Sequence, residues 1–556
     1  MSTELSAQKL RGGYYTPEPI ADFLARWAVR SQIDTILEPS CGDGIIIGAA
    51  AKALLALGAP EESLSDLLYG VEFNPGEAAV SANRLKTLGV RDPKIHVGDF
   101  FAHCQSDLFG EKFLTTVVKK RRFFDVVIGN PPFIRYQNFP EEHRQTAFRL
   151  MQEAGLRPNR LTNTWVPFLV VTSLLLKPNG RLAMVIPAEL FQVYYAADVR
   201  LFLSEYYRHL TIITFEQLVF EGIQQEVVLL LGERNDTTSE GIRLIKLKSI
   251  EDLKSFDYQH CLESEIKPMD HSKEKWTQYY LSIEEILLLR ELRKNSSLTL
   301  SGKVIDVDVG IVTGDNTFFI LTEEKVKKLA LEPYLERVVA RSGHLHGAVF
   351  SGLDWQENVE TKKPAYFFTP PNLPYEELPT PVQEYIKYGE LHEVHKGFKC
   401  SNRPRWYIVP SVWIPDAFML RQIHGYPKLI LNDAQANCTD TIHRVRFLNG
   451  ADRKTVAVAF LNSLTFAFAE VTGRSYGGGV LTFEPSEAEK LPIPLKQAEN
   501  LEFDTIDRFL REGNITAVLD ITDKVLLTDG LGLETRHVKM LRQIWEKLRN
   551  RRINRK

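Results

Sequence analysis

Sulfur is scarce in this chain. Its 5 cysteines, Cys41, Cys104, Cys261, Cys400 and Cys438, form no C-x-x-C pair, which excludes a disulfide framework and a thiolate zinc site and suits a reducing cytoplasm. His392-Glu-Val-His395 falls one residue short of the H-E-x-x-H spacing that presents two histidines on one helical face, so no metal is expected. Long apolar runs are missing too. No stretch approaches the ~18 consecutive apolar residues of a membrane span, and the first residues lack the apolar core of a signal peptide. The expectation is a cytoplasmic protein without membrane contact. Neither charge sign is in excess: 68 Lys and Arg against 71 Asp and Glu leave a formal charge of −3, which argues against a protein that coats nucleic acid indiscriminately. Repeats and low-complexity tracts are also absent. What the chain has is length and apolar content. Its 556 residues exceed one compact core, and 44% hydrophobic residues can fill two or more.

The stretch with the most chemical content is Asp125-Val-Val-Ile-Gly-Asn-Pro-Pro-Phe133. A buried strand delivers Asn130 into a rigid Pro131-Pro132 turn, since a residue before proline is confined to extended geometry. Such a turn suits methylation of a planar amino group. An exocyclic amine such as adenine N6 is a weak nucleophile because its lone pair is delocalised into the ring. The Asn130 carboxamide oxygen can accept one of its N–H groups and the Pro131 backbone carbonyl the other, which leaves the lone pair facing a methyl donor. Phe133 adds an apolar plate on which a base taken out of a duplex can stack. RNA guanine-N2 and protein glutamine-N5 methyltransferases carry close relatives of this loop, so on its own it leaves the substrate class open.

Upstream, Thr35-Ile-Leu-Glu-Pro-Ser-Cys-Gly-Asp-Gly44 followed by Ile45 to Leu55 reads as strand, glycine turn, helix, the opening of a doubly wound α/β sheet. A dinucleotide site would set bare backbone N–H groups against a pyrophosphate. Here Glu38 and Asp43 flank Gly42 and Gly44, and their carboxylates would repel phosphate. They suit S-adenosylmethionine (AdoMet), which carries an ammonium and a sulfonium, while the glycines let backbone approach its methionine end. The next strand ends at Glu72, placed to accept from both ribose hydroxyls. A third ends at Asp99 in Val97-Gly-Asp-Phe-Phe101, sited to accept from the cofactor's adenine amino group. Three acids after three successive strands are the pattern of one cofactor cleft.

In motif order the chain resembles the gamma-class adenine-N6 DNA methyltransferases of bacterial restriction-modification systems. Gly12-Gly-Tyr-Tyr-Thr-Pro17 is similar to the segment that folds over the methionine part of AdoMet in that family, with Tyr15, Thr16 and Pro17 at matching positions. Glu38 to Gly44, Glu72, Asp99 and Asn130 to Phe133 follow in the family's order. Leu182 to Glu189 resembles the strand and turn after the catalytic loop, and Leu218 to Leu230 its last hairpin, where Phe220 matches an aromatic that sandwiches the flipped adenine against Phe133. Where the family often has Phe after the glycine turn, this chain has Ile46 and Ile47. The resemblance implies AdoMet as cofactor, double-stranded DNA as substrate, a separate restriction endonuclease as functional counterpart, and a monomer.

Residues 1 to about 240 carry every catalytic motif in an alternating strand and helix pattern, which the polar turn Glu233-Arg-Asn-Asp-Thr-Thr-Ser-Glu-Gly241 closes. Residues 241–298 read as a linking segment, with an amphipathic helix over Tyr280 to Lys294. Residues 299–500 alternate short strands with turns, as a mixed, β-rich domain does, and residues 501–556 read as helical with a basic, frayed end. Positive charge recurs with aromatics in this half, at Arg405 and Trp406 among others. Gly473-Arg-Ser-Tyr-Gly-Gly-Gly479 with the exit Leu-Pro-Ile-Pro494 resembles the family's target-recognition domain, where Arg474 and Tyr476 would meet a phosphate or a base edge. The expected architecture is a doubly wound, Rossmann-like AdoMet-dependent catalytic domain, a β-rich target-recognition domain and a helical C-terminal segment. Two other readings stand beside it: an RNA or protein-glutamine methyltransferase, and a non-catalytic DNA-binding subunit that kept the fold.

Overall fold

The computed structural model describes residues 15–106, 124–220, 225–234, 241–476 and 478–554. Gly12, Gly13, Tyr14 and Gly477 lie outside them, as does the side chain of Tyr476. The chain divides into two compact units, Met1–Ile283 and Glu284–Asn554.

The first unit is built on eight strands: β1 (Ile36–Glu38), β2 (Leu68–Glu72), β3 (Lys94–Val97), β4 (Phe124–Gly129), β5 (Leu176–Pro187), β6 (Tyr207–Phe215), β7 (Val227–Arg234) and β8 (Gly241–Leu247). Their order in the sheet is β3-β2-β1-β4-β5-β7-β6-β8. Only β7 runs antiparallel to its neighbours, while β1 pairs in parallel with both β2 and β4. This is the expected doubly wound sheet. Strands covered on both faces must be apolar throughout, and Leu182 to Pro187 of β5 are all buried. Strand β8, which the sequence reading left in the linking segment, extends the sheet in parallel beside β6. Its burial is confined to Gly241–Arg243, so its apolar pattern is too short to announce a sheet strand.

Six helices set the cleft: α1 (Glu18–Ala28), α2 (Ile45–Ala56), α3 (Pro75–Thr87), α4 (Phe100–Ser106), α5 (Glu141–Glu153) and α6 (Trp165–Leu174). Helix α6 is apolar on every side and buried, as a core helix must be. The strand order reverses between β1 and β4. In open α/β sheets ligands bind beyond the strand carboxyl ends at such a reversal, and here those ends carry the glycine turn and Asn130. Gly44, at φ 78°, is the residue that lets α3 pack against that turn, because a Cβ there would come within 2.8 Å of Ser81 Cα.

The second unit combines short sheets with helices. Its five-stranded sheet runs Ile305–Val309, Ile442–Phe447, Ala417–Leu420, Leu429–Asn432 and Val349–Phe350 in spatial order. A separate aromatic core joins Phe318, Phe367, Phe368 and Tyr385, with the Phe318 and Tyr385 rings stacked at 4.5 Å. The basic end of the chain is anchored at one residue rather than frayed throughout. Arg552 is buried, its Nε and Nη2 donate to both Glu470 oxygens at 2.9 and 2.7 Å, and its Nη1 donates to the Gly479 carbonyl at 2.5 Å.

Candidate active site

Asn130 leaves the end of β4 with its side chain at the wall of a cavity of about 860 Å³. Two neighbours hold it. Its Nδ2 donates to Thr16 Oγ1 at 3.1 Å, and Ser40 Oγ donates to its backbone carbonyl at 3.4 Å. Thr16 is buried just ahead of α1, so the segment before that helix is joined directly to the Asn-Pro-Pro turn. Tyr15 lines the same cavity, and its hydroxyl donates to Glu77 Oε1 at 2.8 Å. Pro17 is the residue preceding α1.

Glu72 ends β2 at the cavity wall. Its Oε2 accepts from the Gly42 N–H and its Oε1 from the Asn74 N–H, both at 2.8 Å. Those two bonds use about half of a carboxylate's acceptor sites, which leaves lone pairs for hydroxyls of a ligand. Asp99 follows β3. Its Oδ1 accepts from the Ala102 N–H at 2.9 Å and its Oδ2 lies 3.5 Å from His143 Nδ1. Burial pushes the Asp99 carboxyl above its ordinary range, with the Ala102 N–H and His143 acting against that rise.

The structure thus brings Tyr15, Gly42, Glu72, Asp99, Asn130 and Pro132 around one cavity. The other carboxylates of the glycine turn lie elsewhere. Asp43 is paired with Arg84 at 2.8 Å, and Glu38 is enclosed beneath the turn. Burial pushes the Glu38 carboxyl well above the ordinary range, more than the Ile47 N–H offsets. Neither lines the cavity; both belong to the turn that presents Gly42, and Gly44 precedes α2. Phe133 and Phe220 are buried at 9% and 7% exposure and also lie off the cavity wall.

Several lining residues escaped the sequence reading. Phe73, Phe100, Phe139 and Phe168 supply aromatic walls, with Phe100 and Phe168 stacked at 5.3 Å. Ile46 and Ile47, by contrast, are core. Phe73 and Phe100 each follow a strand-end acid directly, a signal that could have been used. Thr164 was hidden by its position, since a Thr before an apolar helix reads as a cap. In the structure it makes no cap. Its hydroxyl instead donates to the Pro132 carbonyl and accepts from the Ile134 N–H at 2.9 Å, bracing both sides of Phe133.

In the second unit the expected DNA-facing residues have structural partners. Arg474 Nε donates to Glu487 Oε1 at 3.0 Å, and both side chains are largely buried. Trp406 packs on Phe318 at 5.2 Å and its Nε1 donates to Glu390 Oε1 at 3.3 Å. Arg405 Nη1 donates to Asn372 Oδ1 at 2.6 Å on the surface. Tyr476 lies on the strand Arg474–Tyr476, with its side chain outside the described residues.

A sheet of this order, with an Asn-Pro-Pro turn and strand-end acids at its reversal point, defines a methyltransferase of the doubly wound class. The family described as N-6 DNA Methylase matches residues 3–286, more than half of the chain, and the chain belongs to that family. Residues 273–527 match the C-terminal domain of Type II methyltransferase M.Eco57I. Type II methyltransferase M.AccI of Acinetobacter calcoaceticus is 23% identical over 510 residues, 88% of this chain and 86% of its own. Type II methyltransferase M.XamI of Xanthomonas campestris pv. amaranthicola is 22% identical over 506 residues, with 88% and 86% covered. Among solved structures, the Type IIL restriction-modification enzyme MmeI in complex with DNA shares the fold over 96% of this chain and 75% of that one, at 10% identity and a TM-score of 0.59.

Proposed function

We propose that this DNA methyltransferase transfers a methyl group from AdoMet to the N6 amino group of adenine in duplex DNA, as the modification partner of a separate restriction endonuclease. One observation carries the reading: Asn130 shares its cavity with Glu72 and Asp99. The lining fits AdoMet, since among the described residues it includes the carboxylates of Glu72, Glu77 and Asp99 and no Lys or Arg. Such walls favour a cation and repel phosphate. Glu72 would hold the ribose, Asp99 and the neighbouring phenylalanines the adenine, and the backbone at Gly42 the methionine end. When bound, AdoMet supplies an electrophilic methyl group.

The chain's own residues do the rest. The Asn130 Oδ1 and the Pro131 carbonyl accept the two N–H groups of the target amine, so that its lone pair faces the methyl group. Thr16 fixes the Asn130 amide by taking its Nδ2, and Thr164 occupies the Pro132 carbonyl. Phe133 and Phe220 are the apolar surfaces between which the extruded base would stack, and opening that slot requires them to part from their present buried positions. Incubation with tritiated AdoMet and unmodified duplex DNA, single-stranded DNA or RNA, followed by nucleoside analysis, tests the reading. N6-methyladenine from duplex DNA supports it, and label in RNA or protein alone refutes it.

Two variants probe the parts. Glu72→Ala is expected to weaken AdoMet binding by roughly 1–3 kcal/mol, the worth of hydrogen bonds to a charged acceptor, and unchanged affinity by calorimetry would remove Glu72 from the cofactor site. Thr164→Val keeps the volume but loses the bond to the Pro132 carbonyl. It should slow methyl transfer about tenfold, equivalent to a bond of ~1.4 kcal/mol, while AdoMet affinity stays as in the parent. A parallel loss of cofactor binding would show that Thr164 supports the whole cleft instead.

A further inference from the structure

Most arginines of the first unit are committed to the protein itself. Arg26 donates to the Leu253 carbonyl, Arg84 pairs with Asp43, Arg200 donates to the carbonyls of Leu190 and Val193, and Arg234 donates to that of Leu176. Arg135, Arg157 and Arg160 differ, as do Arg91 and Arg149. All five are exposed, and none has a carboxylate partner among the described residues.

The two segments that carry Arg135, Arg157 and Arg160 meet at Thr164, which is bonded to the Pro132 carbonyl. Arg135 follows Ile134, whose N–H and carbonyl are both bonded to Thr164, at 2.9 and 3.0 Å. Arg157 and Arg160 sit on the loop that leads into Thr164. That loop is shaped by its own bonds: the Asn159 N–H donates to Thr162 Oγ1 at 2.9 Å, and the Leu161 N–H donates to Asn159 Oδ1 at 2.8 Å. Thr162, Asn163 and Thr164 are buried, so the arginines project from a braced base. No Asp or Glu occurs between Glu153 and Glu189, so the charged side chains of the loop before Thr164 are cations only. Leu161 on the same loop is 66% exposed, an uncovered apolar side chain beside the two charges.

We propose that Arg135, Arg157 and Arg160 grip the phosphates of the DNA strand that carries the target base, on either side of the extruded nucleotide. A rim of guanidiniums without carboxylate partners matches a polyanion and is stereochemically suited to bidentate phosphate contacts. The braced loops pass that grip to the Pro132 carbonyl through Thr164. Phosphate contacts carry no sequence information, so this surface would hold any duplex, whatever residues read the sequence. The proposal rests on the reading that the target base comes from duplex DNA.

The test is a salt titration of duplex binding by fluorescence anisotropy, with the parent protein, the triple variant R135Q/R157Q/R160Q and the triple Arg→Lys variant. Each lost phosphate contact lowers the salt slope by about 1, so the Gln variant should lose about 2 to 3 from its slope. It should bind target and non-target duplex equally more weakly, with their ratio kept, and the Lys variant should retain most of the slope. AdoMet calorimetry shows that each variant is folded, and single variants replace the triple one if it is not. A parent slope and affinity in the Gln variant overturns the proposal, as does a loss confined to the target duplex. A parent protein that binds duplex without salt dependence also overturns the proposal, whereas one that does not bind duplex at all refutes the duplex reading itself.

Discussion

Asn130→Ala is expected to lower single-turnover methyl transfer to DNA by about 10²–10³-fold, the usual cost of removing one preorganised hydrogen-bonding group from a transition state. AdoMet affinity should stay close to that of the parent, because Glu72 and Asp99 are carried by other strands and keep their own backbone partners. On the proposed mechanism the side chain acts late in the reaction. As the amine gives up its lone pair its hydrogens become more acidic, so the bond to Asn130 Oδ1 strengthens as charge develops. On that mechanism preorganisation would come from outside the turn, since Thr16 Oγ1 accepts from Asn130 Nδ2 and so would set which amide atom faces the base. Thr16→Val should therefore reproduce part of the loss without touching the acceptor itself. A fall of less than about tenfold for Asn130→Ala, measured with saturating DNA and cofactor, would remove Asn130 from the transition state.

Arg552→Ala should cost the second unit roughly 3–5 kcal/mol, because it leaves a buried carboxylate without its counter-ion. Arg552 and Glu470 are both nearly inaccessible, and burial pushes the Glu470 carboxyl above its ordinary range even with Arg552 beside it. The desolvation cost is therefore large, and only the paired geometry offsets it. Removing both charges is a different matter. In Glu470→Leu with Arg552→Met, apolar side chains of similar size replace the pair, and most of the lost stability should return. Urea unfolding of the parent, the single variants and the double variant measures the cycle. If Arg552→Ala lowered stability by less than about 1 kcal/mol, well under the cost of a broken buried pair, the C-terminal helix would be held by its apolar face and by its other ion pairs, Arg542 with Asp523 and Lys547 with Glu285. That face includes Leu541, Ile544, Trp545 and Leu548.

The catalytic unit was legible where chemistry and local geometry coincide. An acid ending a strand, a glycine that must adopt positive φ, and an asparagine ahead of two prolines each carry their reason within a few residues. The cavity gathers Glu72, Asp99 and Asn130 because a parallel sheet brings all its strand ends to one edge. Glu38 and Asp43 were harder. Their place in the turn is local, but what their carboxylates face depends on Arg84 and on the burial of Glu38, which come from packing.

The C-terminal half shows the same division more sharply. Its composition announced aromatics interleaved with cations, a pattern that serves nucleic-acid contacts and internal bracing equally well. The folded chain pairs Arg474 with Glu487, Arg444 with Asp308 and Arg552 with Glu470, partners 13, 136 and 82 residues away. The order of strands and turns, and the meeting of strand-end acids with the Asn-Pro-Pro turn at one sheet edge, were readable from the residues alone, because they follow from backbone preferences and side-chain chemistry at short range. Which cations carry a carboxylate partner among the described residues emerged only from the packed chain, because a guanidinium's partner is whichever acceptor folding brings within about 3 Å of it.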